Sequence, residues 1–517
     1  MSVRSEWNEI VRVALAAWHT RLGLRKTGEH IAHYETADAD RIPFLQKVAY
    51  GLGAFVNNTL AAAIGGMLII LNLGFGVNPA LVGLASALPR ITDALTDPLM
   101  GFISDNTRSR WGRRRPYIFA GAILSGIFYI ALWWLPVGKS EMWYFWYFNI
   151  GATIFYVGYT IFATPWVALG YELTPDYHER TRLMGTQNFI GQLAYLISPW
   201  FLWIMTHKPW FPTPAEGAKG LAIAVGVTAM VVGIMPALFL RERAVVSTAD
   251  PAVLTSPVTG GVAKSLREFF RGFGSTIRTK PFLKLCGATF LVFNGFIMIA
   301  SFQSYVIIYY VFGGDQEMGA KYAGYNGTLG AASTFIVITI VTWLATQVGK
   351  RKAFFFSTGM SILGYGLKWF CYDPERPWLV LLPAPLIAFG LGGLFTLMGS
   401  MIADVVDEDE LTSRQRREGM FGSIFWWVVK VGMAAALAAG GFLLNATGFD
   451  VALGGAQTER TLFLLRVFDV VIPMITSALA IWMIASYPIT EKRAHTTRVE
   501  LERRRSLAAA AASSPSS

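Results

Sequence analysis

Two aspartates four residues apart, Asp93 and Asp97, stand in the run Arg90-Ile-Thr-Asp93-Ala-Leu-Thr96-Asp97-Pro98, inside a long apolar stretch. A charge at the centre of a bilayer costs roughly 2.5 to 3.5 kcal/mol on insertion scales, so such a residue usually faces a cavity and serves a function. The spacing puts both carboxylates on one helix face, with Cβ atoms about 5 to 6 Å apart. Like charges that close raise each other's proton affinity unless a cation sits between them. The pair is thus suited to one Na+, Li+ or H+, with Thr96 and carbonyls loosened by Pro98 as further hard oxygen donors. The competing account is an ion pair with Arg90 and the arginines of the following loop.

Lys430, in Trp426-Trp-Val-Val-Lys430-Val-Gly432, is the strongest basic anomaly. It lies about a dozen residues beyond the nearest polar loop, roughly 18 Å along a helix, which is too deep for easy snorkelling. It needs a partner, and the acidic pair is the natural one. Lys368 and Asp469 are weaker signals and receive no role. Asn57, Asn58, Thr160, Asn188, Gln192, Asn294 and Gln303 are uncharged polar residues able to hydrogen-bond solute hydroxyls, although helix-to-helix hydrogen bonds account for them equally well. Asn58, Asn188, Gln192 and Asn294, with Trp166, form the candidate substrate set.

The elements that must position these residues follow from composition. The chain has 517 residues, of which 54% are hydrophobic and 15% charged, with a mean hydropathy of +0.44. Too few charges exist to cover a water-soluble surface. Segments near the 20 residues that a bilayer core requires centre on 47–74, 79–104, 116–136, 143–171, 184–206 and 218–240, then on 282–312, 321–347, 352–371, 378–404, 418–445 and 462–486. The expected architecture is an all-α membrane protein of twelve transmembrane helices in two pseudo-symmetric halves, 45–241 and 282–487. A cytoplasmic linker, 242–281, contains an amphipathic stretch from Ser265 to Phe273. An amphipathic cytoplasmic segment, 1–44, and a cytoplasmic tail, 488–517, flank the bundles.

The net charge of +11 arises from short basic clusters such as Arg108 to Arg115, so it reads as topology and lipid attraction rather than nucleic-acid binding. These clusters place both termini in the cytoplasm. Cys286 and Cys371 lie apart in apolar runs and read as small buried hydrophobes, and the six histidines are scattered. No nucleophile, base and oxyanion set occurs, which argues against an enzyme. No cofactor is expected, only a monovalent cation as coupling ion.

Several runs carry a resemblance. Asp93-x3-Asp97-Pro98-x2-Gly101-x3-Asp105-x2-Arg108-x-Arg110-x-Gly112-Arg113-Arg114-Arg115-Pro116 resembles the signature of the glycoside-pentoside-hexuronide:cation symporters of the major facilitator superfamily. So do Tyr159-Thr160-x4-Pro165, Glu172-Leu-Thr-x-Asp176-Tyr-x-Glu179-Arg180, Asp404-Val-Val-Asp407, Arg417-x-Gly419 and Lys430, over about residues 45 to 487 in order. The resemblance implies cation binding by Asp93 and Asp97, completed by Thr160 with Lys430 close by. Its sugar-binding charges do not carry over, because Asn58, Ala163 and Asn188 stand at those positions. That argues against a melibiose-like galactoside and leaves another sugar, a glycoside, an anionic sugar or an amphiphile open.

The reading that results is a monomeric inner-membrane symporter moving a small polar solute with Na+, Li+ or H+ by alternating access. The basic loop serves topology, and as a gate Arg108, Arg113, Arg114 and Arg115 would pair with Glu172, Asp176, Asp404 and Asp407 across the cytoplasmic face. Competing classes are a carrier of lysophospholipid or another amphiphile, prompted by the aromatic region Trp143 to Tyr159, and a non-transporting membrane sensor.

Overall fold

The computed structural model describes residues 38–107, 109–174, 177–242, 274, 276, 278–413, 418–490, 492–497, 499–501 and 503–504. The expected amphipathic helices near the N-terminus and at 265–273 lie outside these residues. The described chain is helical, with no strand.

Twelve long helices run through it: α1 (Phe44–Leu73), α2 (Pro79–Asn106), α3 (Arg115–Leu132), α4 (Glu141–Glu172), α5 (Tyr177–Ile197, prolonged by short turns to Thr206) and α6 (Pro214–Phe239), then α7 (Lys280–Val311), α8 (Gln316–Val348), α9 (Lys350–Cys371), α10 (Ala384–Ser413), α11 (Glu418–Ala446) and α12 (Glu459–Ala485). Ten membrane candidates satisfy both length and apolarity. Helices α2 and α9 have the length but not the composition, because α2 carries Arg90, Asp93, Asp97 and Asp105, and α9 carries Lys350, Arg351, Lys352 and Lys368. An element that must hold functional charge inside a membrane loses the hydropathy that would identify it.

Local chemistry fixes where α2 starts. Asn78 caps it, its side chain accepting from the Ala80 N–H at 2.9 Å, and Pro79 occupies the first helical position, where no N–H is needed. Helices α1 to α6 pack mainly among themselves, as do α7 to α12, and the two groups meet chiefly where α2 lies along α11 and where α5 with its extension lies along α8. The first of these contacts depends on glycine. A Cβ on Gly83 would sit 2.8 Å from the Leu437 carbonyl oxygen and 2.9 Å from the Cα of Gly441, closer than real Cβ contacts allow.

At the end of the bundle opposite the basic loops, polar contacts also join the two groups. Asn78 donates to Asn445 at 3.2 Å, Tyr305 to Asn72 at 2.9 Å and the Trp200 indole to Thr328 at 2.9 Å, while His207 Nδ1 lies 2.6 Å from Glu317. This end is closed.

Where the chain enters α1, Glu179 holds it down. The Glu179 carboxylate, 1% exposed, accepts from the Ile42 N–H at 2.9 Å, from Lys47 at 2.6 Å and from Arg182 at 3.2 Å. Glu179 precedes the apolar part of α5. Burial pushes its carboxyl up, but the hydrogen bonds from Lys47, Ile42 and Arg182 outweigh it and leave the group below the ordinary glutamate range. A carboxyl with a depressed folded-state value stabilises above its unfolded value and loses that contribution as pH falls through the folded one. Glu179→Gln is expected to cost on the order of 3 kcal/mol near neutral pH, because Lys47 loses its countercharge. Thermal melting measures it, and the difference from wild type should shrink as pH falls below the ordinary glutamate range.

Candidate functional site

Helices α2, α4 and α11 bring six side chains together near mid-helix. Lys430 of α11 places its ammonium 3.2 Å from Asp93 and in direct contact with Asp97, so one lysine bridges both carboxylates of α2. Helix α4 supplies hydroxyls: Thr160 lies 3.4 Å from Asp93 and 3.4 Å from Asp97, and Thr164, one turn on, donates to Asp97 at 3.2 Å. Thr96 meets Thr160 at 3.1 Å. Asp93 is 2% exposed, whereas the side chains of Asp97 and Lys430 are 37% and 32% exposed, so the cluster is buried on one side and reachable on the other. Two carboxylates against one ammonium leave one net negative charge, surrounded by hydroxyl oxygens.

Arg90, one turn before Asp93, pairs differently from the competing expectation. Its guanidinium lies over the Tyr156 ring, 4.8 Å from the centroid, and the direct ion-pair contact of the acidic pair comes from α11. Next to it Tyr159 donates to Asn57 at 2.8 Å, and Asn57 donates to Asn58 at 3.3 Å. Among the described residues the buried Tyr156 hydroxyl has no hydrogen-bond partner. Arg90, Tyr156, Tyr159 and Asn57 thus extend the polar site beyond the acidic pair.

Residues 43–491 match the family described as MFS/sugar transport protein. The chain belongs to that family. Among relatives of this MFS/sugar transport chain, an uncharacterized symporter of Synechocystis is 25% identical, covering 91% of this chain and 98% of its own. An isoprimeverose transporter of Lactiplantibacillus pentosus is 24% identical, covering 87% and 89%. A solved structure of a bacterial homologue of the human lysosomal transporter Spinster, inward-facing and unoccupied, shares the fold with a TM-score of 0.60 at 16% identity, over 86% of this chain and 96% of that one. The resemblance to cation symporters and the major facilitator fold therefore stand, and the family is one of carriers, not enzymes.

The remaining residues singled out from the sequence fall into two groups in this MFS protein. In the substrate set, Trp166 is corrected: its indole is 2% exposed and donates to the Tyr50 carbonyl at 3.2 Å, a packing role between α4 and α1. Asn58 donates to the Gly191 carbonyl at 3.0 Å, which commits its amide to holding α1 on α5. Asn188 is exposed and Gln192 half-buried on α5, while Asn294 of α7 is buried against Gly432 with neither amide atom partnered. Asn58 meets the stretch of α5 that carries Asn188 and Gln192 through Gly191, whereas Asn294 stands on α7.

In the gating set, Arg108 and Asp176 lie outside the described residues. Arg113 and Arg114 pair with Glu172, the latter at 2.9 Å, within the first six helices. Asp404 does not meet this loop, contrary to expectation, because Lys350 at the start of α9 already binds it at 2.6 Å within the second six. Asp407 is half-buried three residues on. Glu242 was missed: it accepts the N–H groups of Arg113, Arg114 and Arg115 at 2.7, 2.8 and 2.9 Å, capping the start of α3. Gly112, with φ +102°, admits it, since a Cβ there would strike the Glu242 carboxylate. Arg115 turns its side chain to the Ala237 carbonyl at 2.7 Å.

Thr164 and Arg90 are the residues that the structure adds to the candidate site. Thr164 is legible as one turn past Thr160, and Arg90 as one turn before Asp93, once α4 and α2 are known to face each other. Lys430→Ala is expected to leave the two carboxylates uncompensated, at a cost on the order of 3 to 5 kcal/mol. Its melting temperature should then rise with added NaCl or LiCl and not with choline chloride at equal ionic strength, since a small cation replaces the missing ammonium.

Proposed function

We propose that this chain is a symporter of the inner membrane, both termini cytoplasmic and active as a monomer, that moves a sugar or glycoside together with one Na+, Li+ or H+. The observation that carries the reading is the single ammonium of Lys430 shared by Asp93 and Asp97 across the two six-helix groups. The groups in direct contact carry one net negative charge, which one monovalent cation or proton brings to neutrality, while Arg90 one turn away rests on Tyr156. Thr96, Thr160 and Thr164 are then the neutral oxygen donors, and Lys430 is the internal competitor that the cation must loosen.

Coupling follows from shared helices. Cation binding at Asp97 weakens its hold on Lys430 and so slackens the tie between α2 and α11. The solute binds beside it, where Arg90 and Asn57 offer hydrogen bonds to hydroxyls and the half-buried Tyr159 offers a ring. Because the two sites are linked, solute tightens cation binding by the factor with which cation tightens solute binding. The closed end opposite the basic loops, with Asp97 and Lys430 still accessible, supports the inward-open member of the alternating-access cycle. In that state the arginines of the basic loop rest on Glu172, and Asp404 rests on Lys350. A gate between the two groups is formed only when that end closes.

Reconstituted protein should accumulate a sugar or glycoside when a Na+, Li+ or proton gradient is imposed; uptake indifferent to all three overturns the reading. In Asp97→Asn the cluster is neutral with Lys430 alone, so concentrative uptake should vanish while solute exchange across the membrane persists. Exchange and gradient-driven flux, measured side by side, separate the two outcomes.

The seal at the opposite end has its own consequence. Gly441→Val forces α11 away from α2 at Gly83 and should shift the population toward the state open at that end. A cysteine replacing Ser86, which lines the crevice between these helices, should react several-fold faster with an impermeant thiol reagent in the Gly441→Val background. The native Cys286 and Cys371 are buried and give little background.

A further inference from the structure

A second charged cluster lies away from the central site, where α7, α9 and α12 meet. Lys368 of α9 sits 3.0 Å from Asp469 of α12, and Tyr372 donates to the same carboxylate at 2.5 Å. All three side chains are buried. Lys368 and Asp469 cancel each other, so this part of the cluster is complete.

Arg466, one turn before Asp469 on α12, is not cancelled. Its guanidinium lies between two rings, 4.2 Å from the centroid of Tyr310 and 4.4 Å from that of Trp369. Its one hydrogen bond runs from Nη2 to the Trp369 carbonyl at 3.1 Å. Among the described residues no carboxylate lies within ion-pairing distance of it. Nε is buried and unpartnered, whereas Nη1 is not among the buried orphans and makes no hydrogen bond to protein. The rings fix the plane of the guanidinium without neutralising it.

Position identifies what could supply the missing charge. Arg466 is seven residues into α12, roughly 10 Å from the helix start at the end opposite the basic loops. Phe463, one turn earlier, and Phe370, next to Trp369, are 54% and 77% exposed, as expected for side chains facing acyl chains. Trp369 and Phe463 touch edge to face, with centroids 6.0 Å apart. An arginine fork near headgroup depth, flanked by aromatic rings and lipid-facing phenylalanines, matches a phosphodiester with acyl tails. A zwitterionic lipid would bring a second positive charge to a place that already has a surplus.

We infer that Arg466, with Tyr310 and Trp369, forms a headgroup site for an anionic phospholipid on the outer flank of the second six helices. It is independent of the cation cluster and of the proposed symport.

The test uses purified full-length protein in detergent, with thermal melting followed as phosphatidylglycerol, phosphatidylcholine or inorganic phosphate is added. Phosphatidylglycerol should protect the wild type more than phosphatidylcholine, and Arg466→Gln should need about tenfold more phosphatidylglycerol for the same protection, as for the loss of one charge-assisted contact. Equal protection of wild type and Arg466→Gln overturns the site, and protection by inorganic phosphate matching that by the lipid overturns the phospholipid assignment. Should Arg466→Gln fail to fold, a photoreactive phosphatidylglycerol on wild-type protein decides. Adducts mapped to residues 363–372 or 460–470 support the site, and adducts confined to the basic loops overturn it.

Discussion

The contact on which the rest of the structure depends is the ion cluster that Lys430 makes with Asp93 and Asp97. None of these groups could be left alone in an apolar span, since removing one partner of a buried pair strands the other's charge. Each therefore constrains the helix that carries it. Helix α2 must face α11, α4 must bring its threonines to the same level, and the helices must approach closely enough for a lysine to reach. Gly83 and Gly441 permit that approach by letting backbone meet backbone.

A tie between two bodies is useful for transport only if it can be traded for something else. Here the acceptors outnumber the donor, two carboxylates to one ammonium, and hydroxyls of Thr96, Thr160 and Thr164 stand ready around them. The arrangement favours an incoming cation without requiring the lysine to leave the site entirely. Elsewhere the described ion pairs of the basic end lie within one group of six helices: Arg114 with Glu172, Lys350 with Asp404. Such pairs stiffen each group, and the contacts between the groups are the central cluster, the glycine contact and the polar contacts at the opposite end, such as Asn78 with Asn445 and His207 with Glu317.

Much of this was legible in the sequence because the membrane makes charge conspicuous. Asp93, Asp97 and Lys430 stand out on cost and spacing, and the six-plus-six pattern of apolar runs finds every long helix, although α5 starts seven residues earlier and α10 ends nine residues later than the runs indicate, where polar residues extend them. What escaped notice did so for physical reasons. Uncharged polar residues cost little in a helix interface, so Asn58 and Trp166 could not be told from cavity residues until their partners, the Gly191 and Tyr50 carbonyls, were seen. Glu242 looked like part of a linker because its role depends on the three N–H groups of Arg113 to Arg115, distant in sequence. The expected pairing of the basic loop with Asp404 failed for the opposite reason, since a nearer cation, Lys350, was within reach.

The spacing of α2 joins the two halves of the proposed chemistry. Arg90, Asp93 and Asp97 fall at i, i+3 and i+7, one stripe along one helix. Asp97 marks the end nearest the accessible side, and Arg90 marks the end that rests on Tyr156 beside Tyr159 and Asn57. A change in charge at Asp97 is therefore felt by Arg90 through a shared rigid element and through Asp93 between them. Coupling of cation to solute then needs no long pathway, because both ligands press on the same two turns of helix. On the proposed reading, the solute is read at the Arg90 end of that stripe, where one guanidinium stands beside the neutral groups of Asn57 and Tyr159.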